Sequence, residues 1–183
     1  MMINKIQIKD FEVNNENTYF LDTNIWLYLY GGIGSISQKT VDAYSELLSK
    51  IIEGKAKLVT TSLQISEFIN AYFQIEYRAE LEMLGKKRTE YSYKKDYRKS
   101  ESFFITVNVM RKIVSNKILK YAKKLDDNFS ELEISEVLPI DKEFDFNDEY
   151  YLYICEKNSI TMVSHDRDML SSTRNVTLIT QHN

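Results

Sequence analysis

One proline and one cysteine punctuate a chain of 183 residues, and glycine occurs only five times. So little turn-forming residue excludes a fold built from many tight turns and favours long helices. The lone thiol, Cys155, has no partner for an internal disulfide, which suits a reducing cytoplasm, and it reads as buried packing. No apolar run approaches the roughly 18 residues of a membrane-spanning helix. The opening stretch MMINKIQIKDFEVNN has no apolar centre of signal-peptide length. A soluble, cytoplasmic protein without membrane contact is expected. There is no GxSxG, no phosphate-binding glycine loop, no GxGxxG and no Cys–His signature. The two histidines, His165 and His182, form no usual zinc pattern and read as surface or tail positions.

Short apolar runs alternate with helical spacing along the chain. Strands are expected at 18–22, 57–61, 136–140, 160–164 and 175–180. Helices are expected at 23–30, at 38–54 with Gly54 as its stop, over 62–84, over 102–125 and at 147–158. Thr61 and Gln64 have the spacing of a capping box at the entry of the 62–84 helix, with Ser62 as an alternative cap. The pattern predicts one α/β domain over 1–183. It would be a helix-rich, three-layer α/β/α sandwich around a central, mainly parallel sheet. A helical, basic and aromatic segment is expected at about 85–130.

Reactive groups in such folds gather at the carboxyl ends of the strands. Four carboxylates fall on that edge. Asp22 ends the strand TYFL and is followed at once by Thr23, Asn24, Ile25 and Trp26, with no glycine or proline to make a solvated turn. It reads either as a helix cap or as a group held there for chemistry. Asp148 shares the inward stripe of its helix with Tyr151, Leu152 and Cys155, whereas Glu149 and Glu156 point elsewhere. A carboxylate facing inward is costly unless it is paired, hydrogen-bonded or metal-bound, and capping is the alternative. Glu67 flanks the apolar stripe Ile65, Phe68, Ile69 and Tyr72, where a solvated glutamate would look similar. Asp166 lies in SHDRDM, with a polar turn as the simpler reading and Asp168 as a rival. Carboxylates gathered without a His or Cys cluster suit hard cations, Mg2+ or Mn2+ rather than zinc. Such a cage is the natural apparatus for phosphodiester hydrolysis.

The segments FLDTNIWLY, TTSLQISEF and DEYYLYICEKNSITMVSHDRDM resemble the PIN domain, the nuclease fold of VapC-type bacterial toxins, over about residues 18–180. In the last block an acid opens a helix, a strand ending in Val-Ser follows, and an aspartate stands two residues on. The resemblance implies that Asp22, Glu67, Asp148 and Asp166 are the family's four acids. Asn24 and Ser164 would be the small polar residues that position a carboxylate or phosphate. It further implies a divalent-metal-dependent endoribonuclease, a homodimer and an antitoxin partner. The chain departs from the family in a short connection before Asp148, which makes Asp145 a second candidate for the third acid. It also has three tyrosines in place of small residues in that helix, and a longer middle.

The net charge of −3 does not mark a nucleic-acid binder, but its distribution is uneven. GKKRTEYSYKKDYRKS, at 85–100, sets seven cations against two acids, and residues 126–156 are predominantly acidic. Lys94 and Arg98 are candidates for neutralising RNA phosphates, and the interleaved tyrosines for stacking on bases or for packing inward. Trp26 and Tyr28 read as core or dimer contacts. Two other classes remain: a non-catalytic nucleic-acid or protein-binding module, and a metal-dependent nuclease acting on DNA. A haloacid-dehalogenase-like phosphatase ranks low, because Asn24 stands where that chemistry wants a second aspartate.

Overall fold

The computed structural model describes residues 3–127, 129–138 and 145–182. Six strands form one all-parallel sheet: β1 (Asn4–Gln7), β2 (Thr18–Leu21), β3 (Lys57–Thr60), β4 (Ala122–Lys124), β5 (Thr161–Val163) and β6 (Thr177–Thr180). Their order is β1-β6-β5-β2-β3-β4. Between the strands run α1 (Thr23–Tyr30), α2 (Gln38–Glu53), α3 (Ser62–Leu84), α4 (Glu101–Ile113), the short α5 (Leu119–Tyr121) and α6 (Phe146–Lys157).

Alternation along the strands divides the core. Tyr19, Leu21, Leu58, Val163 and Ile179 pack on one face with α1 to α4, joined by Tyr44 of α2 and Phe68 of α3. Phe20, Val59, Met162 and Leu178 pack on the other face with Tyr151, Leu152 and Cys155 of α6. Both faces are covered, so the strands read as nearly continuous apolar runs. This is the expected helix-rich, three-layer α/β/α sandwich, and Cys155 is packed in it at 1 % exposure. No helix among the described residues is long and apolar enough to cross a membrane.

The order of the strands fixes where a site can form. From β2 the chain moves out to β3 and β4, then returns to β5 on the other side of β2 and continues to β6. Connections leaving β2 and β5 therefore diverge, and their carboxyl ends form the switch point where α/β sheets bind ligands.

Several expectations need correction. The 102–125 helix ends early: α4 passes into a π-turn at Val114–Ile118 and α5, and Ala122–Lys124 is the edge strand β4, paired with β3 alone. Only Ala122 of that strand is buried, while Lys123 and Lys124 face solvent and guard the open edge, so no apolar run announces it. The strand expected at 136–140 is not formed where it is described: Ile134–Glu136 is a 3-10 turn, followed by Val137 and Leu138, and 139–140 lie outside the described residues. Strand β1 was unexpected because its residues are polar or half-exposed. The basic stretch at 85–100 is not the helical segment expected there. Gly85 closes α3 in the left-handed conformation at φ 62°, which costs glycine nothing. Turns follow, with one 3-10 turn at Tyr97–Lys99 before α4.

Candidate functional site

Strand β2 delivers Asp22 to the edge. Its backbone N–H still donates to Val163 O at 2.8 Å, so the sheet holds the residue to its last atom. The capping reading of Asp22 holds, and its second oxygen is bound as well. Its Oδ1 accepts the Thr23 N–H at 2.6 Å and so caps α1. Its Oδ2 accepts the Ser164 hydroxyl at 2.6 Å and the Asn24 side-chain N–H at 2.7 Å. Asn24 also donates to Ser164 Oγ at 3.3 Å, and Ser164 Oγ accepts the Asp166 N–H at 3.0 Å. Asn24 and Ser164 thus tie the end of β2 to the loop after β5.

Glu67, in the second turn of α3, reaches the same edge. Its Oε2 accepts the Thr23 hydroxyl at 2.8 Å and the Tyr151 hydroxyl at 2.5 Å. Tyr151 lies on α6, so Glu67 is gripped from two elements. Beneath it, buried Gln64 donates to Leu21 O at 2.5 Å and accepts from Thr60 Oγ1 at 2.7 Å. Only half of the capping box is made. Thr61 Oγ1 accepts the Gln64 N–H at 3.2 Å, while the Gln64 side chain crosses to β2.

The alternatives for the third and fourth acids separate by their surroundings. Asp145 is exposed and is the N-cap of α6, its Oδ1 accepting the Asn147 and Asp148 N–H groups at 2.8 and 3.0 Å. The capping role is therefore filled by Asp145, and Asp148 lies one turn in, half-buried. Glu149 and Glu156 pair instead with Arg174 at 3.0 and 3.1 Å. Asp166 is half-buried, and its Oδ1 accepts the N–H of exposed Asp168 at 2.9 Å, which places Asp168 outside the group.

The four acids act on one another electrically. Burial pushes the Asp22 carboxyl up to about 7; the Ser164 hydrogen bond opposes this, and Glu67 and Asp148 add to the rise. Burial also pushes Asp148 up to about 7, reinforced by Asp145, Asp166 and Glu67. Tyr151 is raised far above the phenol range by burial and by Glu67, so it stays protonated and keeps donating. Among the described residues no Lys, Arg or His forms an ion pair with any of the four acids. Asp22, at 5 % exposure, is buried beside acidic neighbours with no cationic side chain paired to it among the described residues, a costly arrangement. An oxygen-only donor set with uncompensated negative charge fits a hard divalent ion. As they stand, no three His, Cys, Asp or Glu side chains among the described residues are close enough to share one ion. Asp22 is hydrogen-bonded to Ser164 and Asn24, and Glu67 to Tyr151 and Thr23.

The histidines are not tail groups. Their rings pack at 4.1 Å, and Tyr44 OH bonds His165 Nδ1 at 3.0 Å and Ser164 O at 3.3 Å. Burial lowers His165 from its ordinary value, with His182 and Arg167 adding to the fall. Sequence reasoning also missed Tyr151 and Thr23 as holders of Glu67, because a tyrosine on an apolar stripe looks like packing. Trp26 is fully buried core beside Tyr30, and Tyr28 packs edge-on to His165.

Lys94 and Arg98 are exposed, but they are not gathered with the acids. The tyrosines around them turn inward: Tyr97 is fully buried, and Tyr91, Tyr93 and Tyr97 pack on Tyr77 at 6.4, 5.3 and 5.4 Å. That anchor puts the loop on the distal half of α3, roughly 15–25 Å along the helix axis from Glu67.

No protein-family model matches the chain, and none of the curated proteins matches it. Among solved structures, the crystal structure of the Pyrobaculum aerophilum protein PAE2754 aligns with 89 % of this chain and 91 % of that one, at 18 % identity and a TM-score of 0.49.

Proposed function

We propose that this chain is a divalent-metal-dependent endoribonuclease of PIN-domain type, hydrolysing RNA phosphodiester bonds and serving as the toxin of a toxin–antitoxin pair. One observation carries the reading. Asp22, Glu67, Asp148 and Asp166 come from four separate elements to the carboxyl edge of a parallel sheet, are coupled electrostatically, and have no ion-pair partner among the described residues. Caps for a merely structural module would not need this convergence, since Asp145 alone caps α6. The preference for RNA over DNA, the antitoxin and the homodimer rest on the sequence resemblance.

The residues divide the work by how they are held. Asp22, Asp148 and Asp166 would hold Mg2+ or Mn2+, which would supply an activated water and stabilise charge developing at the phosphate. Ser164 and Asn24 fix Asp22 Oδ2, so the carboxylate enters the site in one orientation. Tyr151 and Thr23 occupy Glu67 Oε2, and no hydrogen bond among the described residues engages Oε1. Glu67 is thus placed to act as a fourth ligand or to take the proton of the attacking water. In-line attack at phosphorus then breaks the bond to the 3′ oxygen, leaving a 5′-phosphate and a 3′-hydroxyl.

The test is cleavage of labelled structured RNA and of single-stranded DNA by purified protein, in Mn2+, in Mg2+ and in EDTA, beside Asp148→Asn. RNA cleavage that requires metal and disappears in Asp148→Asn is expected. Cleavage of DNA alone would move the substrate. Cleavage that survives both EDTA and the substitution would overturn the assignment.

A further inference from the structure

A second concavity lies at the carboxyl ends of the sheet's other half. Gln7 ends β1, Gln181 follows β6, and between them and α2 opens a groove of about 680 Å3 that none of the four acids lines. Its volume is of the size that holds small organic ligands. Its charge runs against that of the whole molecule. Lys9, Lys39 and Lys50 face one glutamate, Glu46, a net of two positive charges in a protein of net −3. Glu46 is already taken by Lys50 at 2.7 Å, which leaves Lys9 and Lys39 without an ion-pair partner among the described residues. Lys39 lies in the first turn of the sixteen-residue α2, where the helix dipole adds positive potential. The remaining wall is apolar, with half-buried Phe11 and Ile8 opposite Leu47. Two free ammonium groups beside an aromatic and aliphatic wall suit a ligand that is anionic at one end and flat at the other, as a nucleotide is.

The groove is joined to the acids through one side chain. Gln181 lines it, and the Gln181 N–H donates to Tyr44 OH at 3.2 Å. The same Tyr44 oxygen bonds His165 Nδ1, the residue before Asp166. Tyr44 sits on α2 between groove residues Ala43 and Leu47, so the groove's floor and the catalytic edge share a wall. Resting on the nuclease reading above, we propose that this groove is a subsite for single-stranded RNA. Lys9 and Lys39 neutralise phosphates of the strand, and Phe11 receives a base, next to the bond cleaved at the acids. A free mononucleotide shares this chemistry, but the adjoining wall favours a continuous strand.

Binding measured in EDTA separates this inference from the cleavage it adjoins. Fluorescence anisotropy of a labelled twelve-nucleotide single-stranded RNA would compare wild type with Lys9→Glu/Lys39→Glu. The charge-matched control would be Lys112→Glu/Lys117→Glu, on exposed positions of α4 and the π-turn. The groove variant should bind about tenfold more weakly, and its plot of log K against log salt should be shallower by about 1.4, or 0.7 for each lost phosphate contact. The control should keep the wild-type affinity and slope. Equal effects in both variants, or no change in the groove variant, would overturn the proposal. So would adenosine monophosphate displacing the RNA at equal affinity, which would make this a mononucleotide site. RNA binding that depends on Lys9 and Lys39 in a protein that never cleaves would keep the groove and remove the nuclease reading. Cleavage with unchanged binding in the groove variant would do the reverse.

Discussion

The Ser164 hydroxyl donates to Asp22 Oδ2 across 2.6 Å, joining residues 142 positions apart in the chain. It holds down an acid that burial pushes up to about 7. Ser164→Ala removes that restraint, so the Asp22 pKa rises further and less of it is ionised at neutral pH. The acid limb of the pH–rate profile should move upward by roughly one unit, since a hydrogen bond to a charged group is worth about 1.5 kcal/mol or more. Ser164→Thr keeps a hydroxyl and should restore the limb. An unmoved limb in Ser164→Ala would remove Asp22 from the titration that limits the rate.

Asp145 and Asp148 are three residues apart and should respond in opposite ways. Asp145→Ala deletes the cap of α6 and should cost about 1 kcal/mol of stability while leaving cleavage within a few-fold of wild type. Asp148→Asn removes a half-buried charge facing other acids, so the metal-free protein should melt higher while cleavage is lost. Thermal melts and cleavage assays on the two proteins check both signs. Loss of activity in Asp145→Ala with retention in Asp148→Asn would exchange the roles.

The contrast between those two aspartates shows what the sequence could carry. The placement of four carboxylates on one edge was legible because strand ends are legible, and a parallel sheet places all its carboxyl ends together. The choice between Asp145 and Asp148 was not, because it depends on where the first turn of α6 begins, and one residue there exchanges a cap for an inward group. Tyr151 and Gln64 were hidden for another reason. Each occupies a helical position that packing or capping explains, and only the hydrogen bonds of Tyr151 to Glu67 and of Gln64 to Leu21 O show where their polar ends go. Strand β4 was invisible because an edge strand needs a single buried residue, Ala122. The inward-turned tyrosines of the basic loop became legible only once Tyr77 was seen to collect them.

The Tyr151 hydroxyl meets Glu67 Oε2 at 2.5 Å, and Thr23 is the other donor to that oxygen. Tyr151→Phe keeps the buried ring and should cost no more than about 1.5 kcal/mol of stability. Cleavage should fall by about tenfold or more, because a misplacement near the reacting atoms is expensive. RNA affinity measured in EDTA should not change. A fall in affinity with kcat intact would make Tyr151 a binding group instead of a positioning residue.

Lys94 and Arg98 stand exposed on the loop that follows α3 and packs on its far half, so any contribution they make is to holding a long RNA. Lys94→Glu with Arg98→Glu should weaken binding of a structured RNA and lower its salt slope by about 1 to 2, with kcat at saturating RNA unchanged. An unchanged slope would remove them from the interface.

The strongest pH dependence should be that of stability. Asp22 and Asp148 both titrate near 7 in the folded protein, against 3.8 for an ordinary aspartate. Between those values the folded state keeps protons that the unfolded chain has released. Stability from this source is present in full below about pH 4 and is lost as pH rises towards 7. A loss of only about 2 kcal/mol, less than either shift alone allows, lowers the melting temperature of a chain this size by roughly 4–8 °C. Metal-free protein should therefore melt lower at pH 8 than at pH 5, and Asp22→Asn/Asp148→Asn should abolish the difference. Millimolar Mn2+ should remove most of it in wild type, because a bound cation favours the ionised carboxylates that burial and mutual repulsion disfavour. A melting temperature independent of both pH and Mn2+ would mean that these acids are neither strained nor waiting for a cation.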